Sequence, residues 1–271
     1  MADHITQHRT GFGPGLTAIT RHDDPGEASG LGLAVLNLSP GEPHRETTPV
    51  ETAFLLMSGA AMVTVGNRQV RFARASLFDD GPSCVHLPAG SEIDVVAEGA
   101  AEFTVYRTAN TKPFAPKVYL PVETADEYRG KGQVGDACLR IVRTIFDRTN
   151  ADANAELVLG EVVTLPGRWS SYPPHHHPQP EIYHYRFTHA EGFGHAELGE
   201  TVLKVRHNDT VRILAGRDHP QCAAPGYGMY YSWVIRHLPD NPYIVPEFTA
   251  EHRWTMKKDA AIWRPKGLAG G

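Results

Sequence analysis

No two of the three cysteines, Cys84, Cys138 and Cys222, stand at a CxxC spacing, and their odd number leaves no complete disulfide framework. That argues against a thiolate zinc site or a stapled secreted scaffold, and each cysteine reads as a small buried residue. The chain also lacks an apolar run long enough to cross a membrane. Its first residues, Met-Ala-Asp-His-Ile-Thr-Gln-His, lack the basic-then-apolar order of a signal peptide, so the cytoplasm is the expected location. Blocks of like charge are missing too. A net charge of −5 gives no basic footprint, so neither nucleic acid nor a membrane surface is expected as a partner, and a small molecule is.

Glycine (26) and proline (21) are plentiful among the 271 residues, which is enough chain for one large or two ordinary domains. Turn signals recur between short apolar runs at 32–38, 53–57, 61–65, 102–106, 157–165, 181–187, 202–205, 210–214 and 229–235. This pattern predicts an all-β barrel or sandwich with few helices. Gly66-Asn67 and His207-Asn208-Asp209 are expected as hairpin turns. Residues 108–117 read as a linker, 122–129 as a short helical turn ending at Gly130, and 267–271 as a frayed end.

The chain reads as a duplication, with one barrel over 1–115 and another over 116–271. In the first half Gly41-Glu-Pro-His44 leads to Glu51, two strands ending at Gly59 and Gly66, and then His86-Leu-Pro-Ala-Gly90. In the second, Gly167 leads to His175, His177 and Glu181, a hairpin, and Leu214-Ala-Gly-Arg-Asp-His219. Glu46 stands where the first copy would want a second histidine, and Ile93 where the late one would fall. The first barrel is therefore expected to hold no metal.

Chemistry concentrates in Ser170-Ser-Tyr-Pro-Pro-His-His-His-Pro-Gln-Pro-Glu181. Prolines 173, 174, 178 and 180 rule out a helix here. On an extended segment His175 and His177 share a face while His176 points away. Glu181 adds a carboxylate, and His219, three residues after Gly216, is placed to return from across the barrel. Three imidazoles and one carboxylate suit a divalent ion: imidazole favours zinc, iron, nickel or copper, and the carboxylate admits manganese.

Trp169-Ser-Ser-Tyr-Pro-Pro-His175, Arg129-Gly-Lys-Gly132, Gly192-Phe-Gly194, His219-Pro220 and Ala224-Pro-Gly-Tyr227 with Tyr230-Tyr231 resemble the 5-deoxy-glucuronate isomerases of myo-inositol catabolism. Those enzymes are related to the 5-keto-4-deoxyuronate isomerases of pectin breakdown, and the likeness runs from about residue 10 to residue 255. It implies a bicupin, two double-stranded β-helix (jelly-roll) barrels in one chain, with the metal in the second barrel on His175, His177, Glu181 and His219. The chain departs from that pattern at His176, Pro178, Arg217-Asp218 and the run after Tyr231, positions that would lie at the pocket mouth.

The resemblance implies an aldose-ketose isomerase acting on a sugar acid, converting 5-deoxy-glucuronate to 2-deoxy-5-keto-gluconate by proton transfer or by hydride shift. Tyr183 and Tyr185, which share the parity of Glu181, and Tyr231 on a later strand are the candidate catalytic residues. Arg186 and Arg217 are the candidates for holding the substrate carboxylate, because a guanidinium fork suits it. His184, His189, His195 and His207 read as turn or surface residues. The competing readings are a cupin metal dioxygenase and a non-catalytic sugar-acid-binding bicupin. Proline-rich ends and exposed sheet faces would suit a homo-oligomer.

Overall fold

Alternation of period two runs through most of the chain, and the strands it builds form two barrels packed sheet against sheet. A computed structural model describes residues 3–214 and 216–266; the expected frayed end at 267–271 lies outside them. In the first barrel Leu31–Leu38, Glu51–Val65, Cys84–Leu87 and Ala101–Thr108 form one layer, and Pro43–Thr47, Arg68–Arg74 and Glu92–Ala97 the other. The fifteen-residue strand Glu51–Val65 serves both layers, pairing first with Ala101–Thr108 and then with Arg68–Arg74. It changes layer at Gly59, where φ is +89° and a Cβ would sit 2.0 Å from the carbonyl oxygen of Ala100, so only glycine fits.

The second barrel repeats this order. Arg140–Phe146, Leu157–Thr164, Glu181–Phe187, Thr210–Ile213 and Met229–Arg236 form its large sheet, and Trp169–Ser170, Phe193–Leu198, Thr201–Arg206 and Gln221–Ala223 its small one. Odd-numbered residues of Glu181–Phe187 and Met229–Arg236 point into the barrel: Tyr183, Tyr185, Phe187, Met229 and Tyr231 share one apolar cluster. Even-numbered ones face the first barrel, where Ile182, Tyr230 and Val234 pack with Leu33, Leu55, Met57 and Tyr106.

That seam also buries charge. Glu161, with no exposure, accepts from Arg74 Nη2 at 2.5 Å, from Arg143 Nη1 at 3.1 Å and from the Tyr230 hydroxyl at 2.9 Å. The carboxylate locks Arg74 of the first barrel to the second.

The boundary at 115/116 is crossed in both directions. His4–Ile5 pairs with Thr210–Ile213 of the second barrel before the chain enters the first, and Lys117–Tyr119 pairs with Cys84–Leu87 of the first before the chain enters the second. Two further expectations change. Residues 122–129 are not a helical turn throughout: a 3-10 turn at Pro121–Glu123 is followed by the strand Glu127–Arg129, paired with Arg140–Val142 across a loop that begins at Gly130, where φ is +80°. His207-Asn208-Asp209 is a corner and not a hairpin, since Thr201–Arg206 and Thr210–Ile213 belong to different sheets. Gly66-Asn67 does join paired strands.

Asp209 makes that corner a latch for the N-terminus. It accepts from Arg9 Nε and Nη2, both at 2.7 Å, and lies 2.8 Å from His4 Nε2. Burial alone would raise its carboxyl pKa, but the bonds from Arg9 and His4 outweigh that and hold it below the ordinary 3.8. A depressed carboxylate stabilises the fold above pH 3.8, and the contribution is lost as pH falls through the lowered folded value. Protection of the amides of residues 3–9, measured relative to their intrinsic exchange rate at each pH, should accordingly fall on acidification to below pH 3.8, and Asp209→Asn should show the weaker protection already at neutral pH. Exchange indifferent to both would mean that the latch does not hold the strand.

Candidate metal centre and its cavity

The proline-rich run folds into two short pieces. Residues His175–His176 form a strand that pairs with Glu247–Phe248, and Pro180 ends the loop so that Glu181 opens the next strand pointing into the barrel. His219 arrives from the loop before Gln221–Ala223. One ligand atom each from His177, Glu181 and His219 lie within 4.8 Å of one another, all buried. His175 is outside that tight set, but its ring meets that of His219 edge-on at 4.7 Å and lines the same cavity.

Hydrogen bonding fixes which nitrogens face inward. His175 Nδ1 lies 3.2 Å from the carbonyl oxygen of Pro173, His177 Nδ1 3.0 Å from that of Gln179, and His219 Nδ1 2.9 Å from that of Arg217. A carbonyl only accepts, so each Nδ1 carries the hydrogen, and on a neutral ring Nε2 is a lone pair. Burial lowers His175 to about 4 and His219 to about 3, which keeps both rings neutral. The Nε2 atoms of His177 and His219 stand 3.2 and 3.4 Å from the same Glu181 oxygen, and His219 Nε2, a lone pair on its neutral ring, is buried without a hydrogen bond. This donor set is compatible with a divalent cation, and carbonyl-tethered imidazoles are how metal-binding histidines are oriented.

The surrounding cavity, about 420 Å³, is walled by Arg140, Val142 and Thr144 of one strand, Val158 and Val162 of the next, and Ser171, Tyr183, Trp233 and Ile235. Trp233 lies flat only because Gly160 has no side chain: a Cβ there would be 2.3 Å from the indole. Residues 243–248 cover the mouth. Tyr243 packs edge-on against His177 and Phe248 against His175, while Ile244 and Val245 are 66% and 73% exposed. Gln179 Nε2 donates to the carbonyl of Asn241, which ties this cover to the ligand loop.

Of the tyrosines, Tyr183 lines the cavity. Its hydroxyl lies 3.2 Å from Ser171 Oγ, itself 3.1 Å from the Tyr231 hydroxyl, so Tyr231 sits one hydrogen bond behind the wall. Tyr185 is deeper, donating to Gln221 at 2.8 Å. Burial pushes Tyr183 well up and Tyr231 up to about 12, which makes both neutral O–H donors.

The two predicted arginines are not at this cavity. Arg186 has the opposite parity to Glu181, so it faces the first barrel, where it donates to Glu102 at 2.7 Å and to His184. Arg217 turns outward to Asp3 at 2.9 Å. His184 is not a surface residue either; it is fully buried in that seam against Thr210. What the sequence reading passed over is Arg140, Thr144 and the cover at 243–248. The alternation of Arg140-Ile-Val-Arg-Thr-Ile-Phe146 carried the first two, and Pro242 precedes the third while Pro246 lies within it.

In the first barrel the corresponding groups are engaged with protein. Ile93 is core, Glu46 pairs with Arg107 and His44, and Glu51 takes His86 at 2.7 Å, Asn110 and the backbone N–H groups of Glu156 and Leu157. Cys84 and Cys138 are buried and Cys222 half-buried, all free thiols. No helix among the described residues is long and apolar enough to cross a membrane.

Comparison with known proteins agrees with this architecture. An IolB-like protein of Salmonella typhimurium superposes with a TM-score of 0.79 over 91% of this chain and 97% of its own, at 24% identity. A Bacillus subtilis oxalate decarboxylase gives 0.63 over 88% and 76%, at 13% identity. At such identities these likenesses show the fold alone, which is that of the two-barrel cupins. The 5-deoxy-glucuronate isomerase of Geobacillus thermodenitrificans is 28% identical over 246 residues, covering 79% of this chain and 86% of the relative. That of Lacticaseibacillus casei is 25% identical over 242 residues, covering 79% and 87%. Residues 4–255 match the model of the KduI/IolB family, and the chain belongs to that family.

Proposed function

We propose that this protein is a metal-dependent aldose-ketose isomerase that converts 5-deoxy-glucuronate to 2-deoxy-5-keto-gluconate in myo-inositol catabolism. The observation that carries this reading is the set of carbonyl-tethered imidazoles whose Nε2 atoms turn toward Glu181 inside a cavity of mixed polar and apolar walls. His175, His177, Glu181 and His219 would hold one divalent cation. When bound, such an ion supplies Lewis acidity that polarises a carbonyl and acidifies its neighbouring C–H.

The chain's own groups then have separate tasks. Tyr183, kept protonated by burial, donates a hydrogen bond to a substrate oxygen and is held in line by Ser171 and, behind it, Tyr231. Tyr185 positions this stack from below through ring contact with both tyrosines. Residues 243–248 exclude water above the ligands, which lowers the local dielectric. A sugar acid suits these walls, since Arg140, the hydroxyls of Thr144, Ser171 and Tyr183, and the Trp233 indole all line them.

The experiment is incubation of metal-replete protein with 5-deoxy-glucuronate in D2O, followed by NMR. Appearance of the keto product supports the isomerase. Deuterium in the product at the carbon that receives hydrogen would mark proton transfer through a group open to solvent, and its absence a hydride shift or a proton relay closed to solvent. Binding with no product would leave a sugar-acid-binding protein, and oxygen uptake with another substrate would favour a dioxygenase.

A further inference from the structure

We propose that Arg140 is the anchor for the carboxylate of the bound sugar acid, and that it sets the preference of this cavity for acids over neutral sugars. This rests on the sugar-acid reading above and assigns the end of the substrate that the metal ligands do not reach.

Arg140 and Arg143 lie on one strand at opposite parity and have opposite surroundings. Arg143 faces the first barrel and is saturated: it donates to Asp126, Glu161 and the carbonyls of Leu77, Phe78 and Asp80. Arg140 faces the cavity with Val142 and Thr144, and among the described residues it has one hydrogen bond, to the carbonyl of Cys138 at 3.0 Å, and no carboxylate in ion-pair range. Its place is built. Gly130, at φ +80°, closes the wall around it, and a Cβ there would stand 3.0 Å from Arg140 Nη1 and 2.3 Å from the Cys138 oxygen.

Burial pulls the Arg140 pKa down, and the neighbouring Arg129 pulls the same way. A guanidinium stays charged regardless, so a cation sits in a half-closed cavity with no protein counter-ion. Arg129 is less suited to the task, being exposed and paired with Glu127 at 2.9 Å. Arg140 lines the same cavity as His175, His177, Glu181, His219 and Tyr183. A carboxylate received by its two-pronged donor would lay the rest of a short sugar chain toward those groups.

The test compares two unreactive ligands on metal-replete protein by calorimetry: 5-deoxy-glucuronate reduced at C1 to its alcohol, and the same compound carrying a hydroxymethyl group at C6. The parent protein should bind the acid roughly 100-fold more tightly than the neutral ligand. Arg140→Met should erase that preference while leaving metal content and affinity for the neutral ligand unchanged, and Arg140→Lys should restore part of it. Arg140→Gln provides the same comparison should the methionine variant not fold. An Arg140→Met protein that still prefers the acid, or a parent that never did, overturns the assignment. Failure of the parent to turn over the aldehyde would overturn the isomerase reading instead, and the acid-versus-neutral comparison would still decide the role of Arg140.

Discussion

His177→Ala is expected to lower turnover of 5-deoxy-glucuronate by at least on the order of a thousandfold and to strip the protein of stoichiometric divalent metal. His177 is the ligand with most to lose. Its Nε2 stands 3.2 Å from the shared oxygen of Glu181, its Nδ1 is committed to the Gln179 carbonyl, and its ring carries Tyr243 of the cover. Alanine removes a donor to the ion, opens the cover to water and leaves the carboxylate facing His219 alone. Chelation followed by re-addition of metal should silence and then restore the parent protein, whereas the variant should not recover. Elemental analysis beside steady-state kinetics reads both effects, and a fully active, metal-replete variant would remove His177 from the site.

The other large effect concerns stability and leaves the chemistry alone. Glu161→Ala should cost about 4 kcal/mol, because it strands the guanidinium of Arg74 in the seam without its carboxylate and removes one partner of Arg143. For a chain of this length that corresponds to a fall in melting temperature of about 10 °C. Glu161→Gln keeps the volume but not the charge, so a nearly equal loss would assign the cost to electrostatics and a small one would assign it to the cavity left by alanine. Pairing Glu161→Leu with Arg74→Met should recover much of the loss, since neither charge is then left alone. Turnover per folded molecule should hold steady, because Glu161 points away from the metal cavity. An unchanged melting temperature in Glu161→Ala would show that the seam does not depend on this carboxylate.

Sequence spacing carried the local part of the centre. Prolines around His175 and His177 forbid a helix, and the parity that follows is a property of any extended chain, so these two could be proposed as ligands before a fold was known. Parity also held the answer for Arg186, five residues after Glu181 and so on the other face; treating it as a carboxylate clamp ignored the rule that had selected Tyr183. Arg140 was harder to see. Its importance lies in having no acidic partner, and absence of a partner is a property of three-dimensional packing that no spacing encodes. The same holds for the corner at His207–Asp209, where the turn was legible but the sheet each flanking strand joins depends on residues far away, including His4 and Arg9.

The reciprocal pairing of His4–Ile5 and Lys117–Tyr119 has a consequence for how the chain is made. His4–Ile5 must wait for Thr210–Ile213, about 200 residues later in the chain, before it finds its partner strand, so this pairing is among the late ones to form. The first barrel has all its own strands once Tyr119 has been made, whereas the large sheet of the second takes its edge strand from residues ahead of the first barrel and gains Met229–Arg236 last.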